Sequence, residues 1–324
     1  GRNCLVKIVV LDGYLVNFDR MPWKVAERFP ELEWYDHTPA GQVLERIRDA
    51  EAVFANRAML SGRVLEQCPK LRYIGVFGTG YNIVDMEAAK RLGITVCNVP
   101  DYSSRAVAQH TLALLLAVTN RAGEFDRLMK QGGWRSAADP AVTAIPMMEL
   151  YGKTVGILGY GSIGREFGNI CRAMGMKVLG NRRNPDLSEE NDTLRFVDID
   201  TLRRGSDILS IHCPLTEQTR GMVDRAFLAG MKPGAILLNT ARGAILDEGA
   251  VAEALDSGRL SGAGLDVFAK EPAGLENPLV KHPKCVATPH VSWSPRETRA
   301  RLLEIAAENF FAFLEGHPQN QVSL

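Results

Sequence analysis

Short apolar runs alternate with amphipathic segments along the first hundred residues. Five of these runs have the length and the β-branched or aromatic content of strands. They are VKIVVLD (6–12), ELEWYD (31–36), AVFANR (52–57), LRYIGVFG (71–78) and ITVCNV (94–99). The helical segments between them are QVLERIRDA (42–50), SGRVLEQCP (61–69) and MEAAKRLG (86–93). This alternation predicts parallel strands joined by helices.

A second series of apolar runs begins after residue 150. Its members are TVGILGYG (154–161), MKVLGNR (176–182), DILSIHC (207–213), AILLNTA (235–241), SGAGLDVF (261–268) and CVATPH (285–290). No short repeat or low-complexity segment interrupts either series. Two separate series predict the α/β fold class, with two doubly wound parallel-sheet domains.

Two long helical patterns connect and complete the series. The segment at 103–121, SSRAVAQHTLALLLAVTNR, predicts a long buried helix between the domains, with Asp101 or Ser103 as its N-cap. We interpret His110, on this apolar helix, as a structural histidine. The amphipathic segment at 296–316 is expected to return to the first domain. We therefore predict a discontinuous substrate domain, residues 1–102 and 291–324, and a dinucleotide-binding domain, residues 103–290.

Composition and charge restrict the possible partners. The chain has 324 residues, 46% of them hydrophobic, and 38 Lys and Arg balance 38 Asp and Glu. No overall field favours nucleic acid or a membrane, so an anionic partner has to be bound by local groups. Six cysteines without a CxxC pair and six histidines without ligand spacing predict no metal site and a reducing compartment. Because we find no secretory signal and no apolar run longer than LALLLAV (112–118), we expect a cytoplasmic protein.

The sequence GYGSIG (159–164) matches the GxGxxG pattern of dinucleotide-binding loops. The bare pattern is weak in a chain with 30 glycines, but a strand-like run precedes it and an amphipathic helix follows. In this context Gly159 permits a tight turn, Gly161 lets the backbone approach a pyrophosphate, and Gly164 allows the helix to pack closely. The phosphates would lie at the positive end of the helix. A plain tight turn is the alternative.

Two arginines follow the next strand-like run, in VLGNRRNP (178–185), where an acidic residue often binds the adenosine ribose. A carboxylate there would repel a 2′-phosphate. The guanidinium groups of Arg182 and Arg183 would instead bind one, with Asn181 as a polar neighbour. The pattern predicts a preference for NADP, with NAD as the alternative if both arginines are solvated loop residues.

Polar side chains follow three later strand-like runs. Arg242 comes after LLNTA, Asp266 and Glu271 lie in GLDVFAKEP, and His290 ends VATPH. The carboxyl ends of the strands border the ligand crevice of an open α/β sheet, so these groups are expected to converge. Taken singly, each is more simply a surface charge, a solvated turn or a structural histidine. Together they supply a cation for a carboxylate, an acid–base group and its carboxylate partner, which suits carbonyl reduction.

Several segments, in this order and spacing, resemble the D-isomer-specific 2-hydroxyacid dehydrogenase family. They are VFGTGYNIVD (76–85), GYGSIG with the basic pair, HCPLTEQTRGMV (212–223), NTARGAILDEGAV (239–251), GAGLDVFAKEP (262–272) and TPHVSW (288–293). LDGYLVN (11–17) and TPHVSW are most similar to the glycerate dehydrogenase or hydroxypyruvate reductase branch. The resemblance covers almost the whole chain. It implies a Rossmann nucleotide-binding domain and a flavodoxin-like substrate domain with a cleft between them.

The resemblance also implies a role for each matching position. Arg242 would hold the substrate carboxylate and polarise the 2-oxo group, His290 would exchange a proton with the 2-oxygen, and Glu271 would stabilise the protonated His290. Four residues of one loop would complete the carboxylate site through their amides: Phe77, Gly78, Thr79 and Gly80. The implied cofactor contacts are Ser162 and Ile163 at the pyrophosphate, Cys213 and Pro214 at the adenosine, Thr240 with Asp266 at the nicotinamide amide, and Ala241 and His290. Arg182 departs from the family, which usually has Asp at this position, and this puts NAD preference in doubt.

The implied reaction is hydride transfer between NAD(P)H and a small 2-oxo acid, or the reverse oxidation of a D-2-hydroxy acid. Trp293, Met59 and Leu60 would limit the pocket, which favours hydroxypyruvate or glyoxylate. Domain closure, with hinges near 100–103 and 289–295, would accompany binding. A formate dehydrogenase on the same fold is disfavoured, because that branch pairs its histidine with Gln and this chain has a Glu. A dinucleotide-sensing binding protein or co-repressor stays open, because such a protein can retain these residues.

The resemblance further implies a homodimer built around residues 103–150. Within that stretch, QGGWRSAADPAVTAIP (131–146) is rich in Gly, Ala and Pro and is predicted to be irregular. Dimer contacts and an active-site lid are both open roles for it.

Overall fold

The computed structural model describes residues 7–323. Its packing separates two compact units, one running up to Ser103 and resuming at Ser294, the other spanning Ser104–Trp293. Each unit has a parallel sheet of its own. Cys4 and the first residue of the strand predicted at 6–12 lie outside the described residues. The predicted α/β fold with two parallel sheets is confirmed.

Strands and helices alternate along most of the chain. In chain order the strands are β1 (Ile8–Val10), β2 (Glu33–Trp34), β3 (Ala52–Ala55), β4 (Tyr73–Val76), β5 (Thr95–Cys97), β6 (Thr154–Leu158), β7 (Lys177–Asn181), β8 (Leu194–Phe196), β9 (Ile208–Ile211), β10 (Ala235–Asn239), β11 (Leu260–Leu265) and β12 (Cys285–Ala287). The helices are α1 (Tyr14–Asn17), α2 (Lys24–Arg28), α3 (Val43–Ile47), α4 (Gly62–Leu65), α5 (Met86–Arg91), α6 (Ser104–Asn120), α7 (Ala122–Lys130), α8 (Pro140–Thr143), α9 (Ser162–Ala173), α10 (Ile199–Gly205), α11 (Arg225–Ala229), α12 (Glu248–Asp256) and α13 (Arg296–Leu314).

The sheet of the first unit has the strand order β2-β1-β3-β4-β5, with every pair parallel. This is the flavodoxin-like order, in which the direction of winding reverses between β1 and β3. The residues of β1, β3 and β4 are buried throughout, as in strands covered on both faces. Leu60 is completely buried in the core of this unit, so the expectation that it limits a pocket is wrong.

The sheet of the second unit has the order β12-β11-β10-β9-β6-β7-β8, again entirely parallel. Winding reverses between β6 and β9, which is the Rossmann arrangement. The edge strand β8 has no counterpart among the predicted strands. It is only three residues long, with Leu194 buried and Arg195 exposed, so it presents no apolar run to detect.

Two long helices belong to different units. The central helix α6 is one residue shorter at each end than the predicted segment 103–121. It buries Leu114 and Leu115. The last helix, α13, packs on the first unit, where the Trp23 indole N–H donates to the Leu303 carbonyl at 2.8 Å. Within the part of the chain that the structure describes, no helix combines the length and apolar character needed to cross a bilayer.

The chain between α6 and β6 is more helical than predicted. The helix α7 follows Arg121, whose φ of +56° separates it from α6, and it buries none of its residues. The segment 131–146, predicted to be irregular, contains the single turn α8. The Asp139 carboxylate caps this turn by accepting from the Ala141 amide at 3.0 Å.

Candidate active site

The glycine loop after β6 contains glycines with two different purposes. Gly159 has φ of +96°, and a Cβ there would lie 2.4 Å from the Cys213 backbone nitrogen. A Cβ on Gly164 would lie 2.5 Å from the Gly159 carbonyl oxygen. Both positions need glycine for the fold itself, because the neighbouring atoms are backbone. Gly161 is different: a Cβ there would meet no described atom within 4 Å, so the chain leaves open space at this position.

The helix α9 directs free backbone amides toward the same place. Gly161 is its N-cap, and the Arg165 amide is the one that donates back to the Gly161 carbonyl, at 2.9 Å. The amides of Ser162, Ile163 and Gly164 therefore have no partner within the helix. They add to the positive end of the helix dipole, where Gly161 and Ser162 are exposed. Open space, free amides and a positive dipole fit the pyrophosphate of a dinucleotide.

Cys213 and Pro214 lie just past β9, beside this loop at the point where the strand order reverses. Burial raises the pKa of the Cys213 thiol to about 11, so the side chain is a neutral thiol at physiological pH. Pro214 is exposed, and its carbonyl accepts from the Thr219 hydroxyl at 2.8 Å. Ligands of open α/β sheets bind at this reversal point.

The basic pair follows β7 directly. This strand includes Asn181 and lies within the predicted run at 176–182. The side-chain amide of Asn181 donates to the Val197 carbonyl at 2.8 Å, so its N–H group is used in a hydrogen bond within the second unit. Arg182 and Arg183 are exposed and form no ion pair with any described residue. Their charges are therefore available to a ligand.

The other predicted groups follow three neighbouring strands. Asn239, Leu265 and Ala287 stand in register across β10, β11 and β12. Arg242 and His290 each come three residues after the end of their strand, and Asp266 immediately follows β11. Adjacent strands are about 4.8 Å apart, so these groups follow neighbouring strands at one edge of the sheet.

Arg242 has an exposed side chain with little to hold it. Its Nη1 donates to the Ala241 carbonyl at 2.7 Å, and within residues 7–323 it forms no ion pair. Its backbone is fixed more firmly, since the side-chain amide of Asn239 donates to the Arg242 carbonyl at 2.9 Å. At the next residue, a Cβ on Gly243 would lie 1.8 Å from the Phe268 carbonyl carbon, so glycine is required there. The result is a free guanidinium on a fixed backbone.

His290 and Glu271 form a defined pair. The His290 Nδ1 lies 2.7 Å from Glu271 Oε2, and Glu271 Oε1 accepts from the Phe268 amide at 3.0 Å. A carboxylate can only accept, so the proton is on Nδ1 of His290. His290 Nε2 has no hydrogen-bond partner among the described residues and is left for a ligand. Among the described residues, Glu271 thus holds one ring nitrogen of His290 and none holds the other.

Asp266, Thr240 and Ala241, which are predicted to contact the cofactor, each form hydrogen bonds within the second unit. Asp266 is completely buried, and its carboxylate accepts from the Val291 and Ser292 amides, both at 3.0 Å. The Thr240 hydroxyl is buried and lies 3.0 Å from the Thr111 hydroxyl. The Ala241 amide donates to Asn239 Oδ1 at 2.9 Å. In this structure these three residues hold the strand ends in place.

The loop Phe77–Gly80 belongs to the first unit. The Phe77 amide donates to the Ala55 carbonyl at 2.8 Å and the Gly78 amide to the Val76 carbonyl at 2.9 Å, so neither is free for a substrate. Within the described residues, the amides of Thr79 and Gly80 have no acceptor. The predicted four-amide site is corrected to these two. The Phe77 amide is engaged because the pairing of β3 and β4 continues one residue past the strands, and the Gly78 amide is engaged in a local turn.

Two residues that position this loop have no counterpart in the sequence-based predictions. Asp12 accepts from the amides of Asn56, Arg57 and Ala58 at 2.7, 2.5 and 2.8 Å. The Asn56 side-chain amide then donates to the Phe77 carbonyl at 2.7 Å. Burial raises the pKa of the Asp12 carboxyl, opposed by these hydrogen bonds. The position of Asp12 directly after the apolar run of β1 was the available signal.

Trp293 and Met59 were predicted to limit a substrate pocket. Trp293 is half-buried in the second unit, and its indole N–H donates to the His290 carbonyl at 3.1 Å. This bond braces the turn that carries His290. Met59, in the first unit, is 59% exposed and is not part of the core.

The chain matches the sequence pattern described as D-isomer specific 2-hydroxyacid dehydrogenase, NAD binding domain, over residues 112–292. It is 42% identical over 321 residues to a hydroxypyruvate reductase of Blautia hydrogenotrophica, covering 98% of this chain and 100% of that protein. It is 35% identical to a glycerate dehydrogenase of Methylorubrum extorquens, with 98% of both chains covered. An acyclic imino acid reductase in complex with NADPH and D-Arg superposes with a TM-score of 0.84 at 29% identity, covering 98% of this chain and 100% of that one.

The chain therefore belongs to the D-isomer specific 2-hydroxyacid dehydrogenase family. It is an oxidoreductase that uses a nicotinamide dinucleotide and interconverts 2-oxo acids and 2-hydroxy acids. The family and the reaction class predicted from the sequence are confirmed.

Proposed function

We propose that this enzyme reduces hydroxypyruvate or glyoxylate to the corresponding 2-hydroxy acid, with NADPH as its preferred cofactor. The observation that carries the proposal is the His290–Glu271 pair, with Nδ1 of His290 held at 2.7 Å and Nε2 left free. The names of the relatives in Blautia hydrogenotrophica and Methylorubrum extorquens support hydroxypyruvate as the substrate.

His290 provides the proton in this proposal. When its ring carries both protons, the Nδ1 proton is donated in the hydrogen bond to Glu271. The Nε2 proton is then the one available to the ligand. Glu271 stabilises the positive ring by its charge and fixes its orientation by the hydrogen bond. The free Nε2 then donates its proton to the 2-oxygen of the substrate as the carbonyl is reduced.

Arg242 provides the positive charge. Its guanidinium is not neutralised by any described residue, and its planar donor set matches a carboxylate. We assign it to the carboxylate of the substrate and to polarisation of the 2-oxo group. The free amides of Thr79 and Gly80 are candidate donors to an anionic group of a ligand.

The dinucleotide would be held by the second unit. Ser162, Ile163 and the open position at Gly161 would bind the pyrophosphate, and Cys213 with Pro214 would line the adenosine. We assign the nicotinamide amide to the strand ends that carry Thr240, Ala241 and Asp266. The bound cofactor supplies the hydride.

The preference for NADPH rests on Arg182 and Arg183. Both are exposed, form no ion pair within residues 7–323, and lie directly after β7, where an acidic side chain would repel a 2′-phosphate. We expect kcat/KM for NADPH to exceed that for NADH by about tenfold or more, the size of one lost charge-assisted interaction. Arg182→Asp should reverse the preference, whereas Arg48→Asp, the same charge change in the first unit, should not. Equal use of both cofactors by the unmodified enzyme would contradict the assignment.

The substrate is tested by the initial rate of loss of nicotinamide absorbance with a series of 2-oxo acids. Hydroxypyruvate and glyoxylate should give kcat/KM values at least about tenfold above those of 2-oxoisocaproate and phenylpyruvate. A clear preference for a branched or aromatic acid would exclude the proposed substrates and leave the reaction class intact. No turnover with any 2-oxo acid would favour a binding protein.

We also propose a homodimer formed through the region around α7 and α8. Large apolar side chains are exposed there: Met129 at 53%, Trp134 at 58%, Met147 at 60% and Tyr151 at 76%. A group of exposed apolar side chains marks an interaction surface. Sedimentation velocity should show a dimer that Trp134→Asp shifts toward monomer, and Leu275→Asp, at another exposed apolar residue, should not. A monomeric unmodified protein would exclude this proposal.

A further inference from the structure

The turn that carries His290 is held on both sides by one buried residue. The Asp266 carbonyl accepts from the His290 amide at 2.8 Å. The Asp266 carboxylate accepts from the amides of Val291 and Ser292, which follow directly, both at 3.0 Å. Asp266 has no exposed surface. The orientation of the Asp266 side chain therefore helps to fix the His290 backbone, together with the bond from the Trp293 indole.

His290 has a conformation that requires such support. Its φ is +54°, in the left-handed region, where a residue with a Cβ is strained by about 1 kcal/mol or more. The surrounding hydrogen bonds have to offset this strain. If Asp266 rotates, the amides of Val291 and Ser292 lose their acceptor and the turn is free to relax.

A hydrogen-bond chain fixes Asp266 from the side of α6. The Thr288 hydroxyl lies 2.6 Å from Asp266 Oδ1, and His110 Nε2 lies 2.9 Å from the same hydroxyl. An ionised carboxylate only accepts, so Thr288 donates to Asp266 and its oxygen is left to accept from His110. His110 Nε2 is therefore the donor that orients Thr288. His110 Nε2 is also 3.6 Å from Asp266 Oδ1.

We propose that His110 and Thr288 are positioning residues for His290, acting through Asp266. His110 thus has a part in the reaction, although its apolar helix first suggested a structural role alone. The inference rests on the proposed function, in which His290 supplies the proton. A ring displaced by about 1 Å loses the alignment that proton transfer needs, at a cost of tenfold or more in rate.

The test compares variants that remove or retain each hydrogen bond. Thr288→Val removes the hydroxyl with little change in shape, and Thr288→Ser retains it. His110→Leu removes the donor, and His110→Gln offers an amide N–H in its place. Thr119→Val is the control, since it removes a buried hydroxyl on α6 whose partners, among the described residues, are the Leu115 carbonyl and the neighbouring Asn120.

The measured quantity is the first-order rate constant of hydride transfer in a single turnover, with the full-length protein, NADPH and hydroxypyruvate. A loss of folded protein lowers the amplitude and leaves this constant unchanged. We expect Thr288→Val and His110→Leu to lower the constant at least about tenfold. The constants of Thr288→Ser, His110→Gln and the control Thr119→Val should stay within about threefold of the unmodified enzyme. Equal constants in Thr288→Val and the unmodified enzyme, or equal losses in Thr288→Val and Thr288→Ser, would overturn the proposal.

A second readout does not depend on turnover. Amide hydrogen exchange of the peptide containing Val291 and Ser292 should be at least about tenfold faster in Thr288→Val than in Thr288→Ser. If the unmodified enzyme reduces no 2-oxo acid, the proposed function fails and this exchange experiment still decides the hydrogen-bond chain. Equal exchange in the two variants would show that Thr288 does not hold the turn.

Discussion

The two sheets of this protein differ at the point where their strand order reverses. In the seven-stranded sheet, between β6 and β9, Gly161 borders open space and the first amides of α9 have no acceptor among the described residues. In the five-stranded sheet, between β1 and β3, the Asp12 carboxylate accepts from the amides of Asn56, Arg57 and Ala58. One reversal point borders open space, and the other is occupied by a carboxylate of the chain itself.

The comparison shows how one topological feature serves two purposes. Reversal points in open α/β sheets gather backbone amides at the carboxyl ends of strands. Glycine leaves these amides to a ligand, whereas an aspartate at the end of β1 uses them to fix a turn. Through Asn56, that turn also fixes the Phe77 carbonyl and so the start of the loop with the free Thr79 and Gly80 amides.

The largest effect is expected at the glycine that the fold requires. Gly159→Ala places a Cβ 2.4 Å from the Cys213 nitrogen at a φ of +96°, and neither backbone segment can give way cheaply. The free energy of unfolding of the second unit should fall by about 3 kcal/mol or more. Gly258→Ala is the control, because φ there is +75° and a Cβ would meet nothing within 4 Å. Thermal unfolding that is alike for both variants would show that the approach to Cys213 is unimportant.

A smaller loss of stability is expected when Asp12, which holds the turn after β3 in the five-stranded sheet, is replaced. Asp12→Asn replaces one of the two oxygens that accept from three backbone amides with an NH2 group, which cannot accept, and should lower the free energy of unfolding by about 2 kcal/mol. The dissociation constant for NADPH should not change, because Asp12 belongs to the first unit. Asp49→Asn, at an exposed carboxylate, is the matched control. An unchanged unfolding temperature in Asp12→Asn would contradict the role of Asp12 as an anchor.

Gly161→Ala should separate ligand binding from folding. The new methyl group enters open space at an allowed φ of −97°, so the unfolding temperature should stay within about 2 °C. The same methyl group crowds the approach of a pyrophosphate, and the dissociation constant for NADPH should rise about tenfold, equal to about 1.4 kcal/mol. Titration of NADPH by its fluorescence measures this constant. Unchanged affinity would mean that the phosphates do not bind at Gly161.

The smallest effect is expected from pH. Lowering the pH should change the stabilising contributions of His212 and Asp12, at the two reversal points, in opposite directions. Burial lowers the pKa of His212 to about 3, and its Nδ1 is buried without a partner among the described residues. The unfolded chain binds this proton below about pH 6.5, so lowering the pH from 7 to 5.5 should cost the second unit about 1 kcal/mol. His212→Gln should remove that loss, which unfolding temperatures at both pH values measure. A variant with the same acid sensitivity as the unmodified protein would exclude His212 as the cause.

Asp12 should change the stability of the first unit with pH in the opposite direction to His212, because the pKa of Asp12 is raised in the folded protein. The folded protein takes up this proton more readily than the unfolded chain, so Asp12 favours folding more as the pH falls through its raised pKa. The stability difference between the unmodified protein and Asp12→Asn should therefore be larger at pH 4 than at pH 7. Chemical unfolding of both proteins at the two pH values measures it.

Local patterns in the sequence predict most of the fold and part of the site. Apolar runs locate the strands, and the residues that follow them include Arg242 and His290, because carboxyl ends of parallel strands share one edge. The bond from Asp12 to the Asn56 amide joins residues 44 apart, and no local pattern distinguishes this Asp from a solvated turn. The burial of Leu60 and the engaged amide of Phe77 likewise depend on tertiary packing and strand pairing.

The most direct test of the account concerns His290. Purified enzyme should oxidise NADPH in the presence of hydroxypyruvate, followed as loss of nicotinamide absorbance. His290→Gln should lower kcat by about a thousandfold or more, the scale of a lost general acid, with an unchanged dissociation constant for NADPH. His317→Gln, at an exposed histidine of the first unit, should behave as the unmodified enzyme. Full activity in His290→Gln would contradict the assignment of the proton donor and, with it, the proposed mechanism.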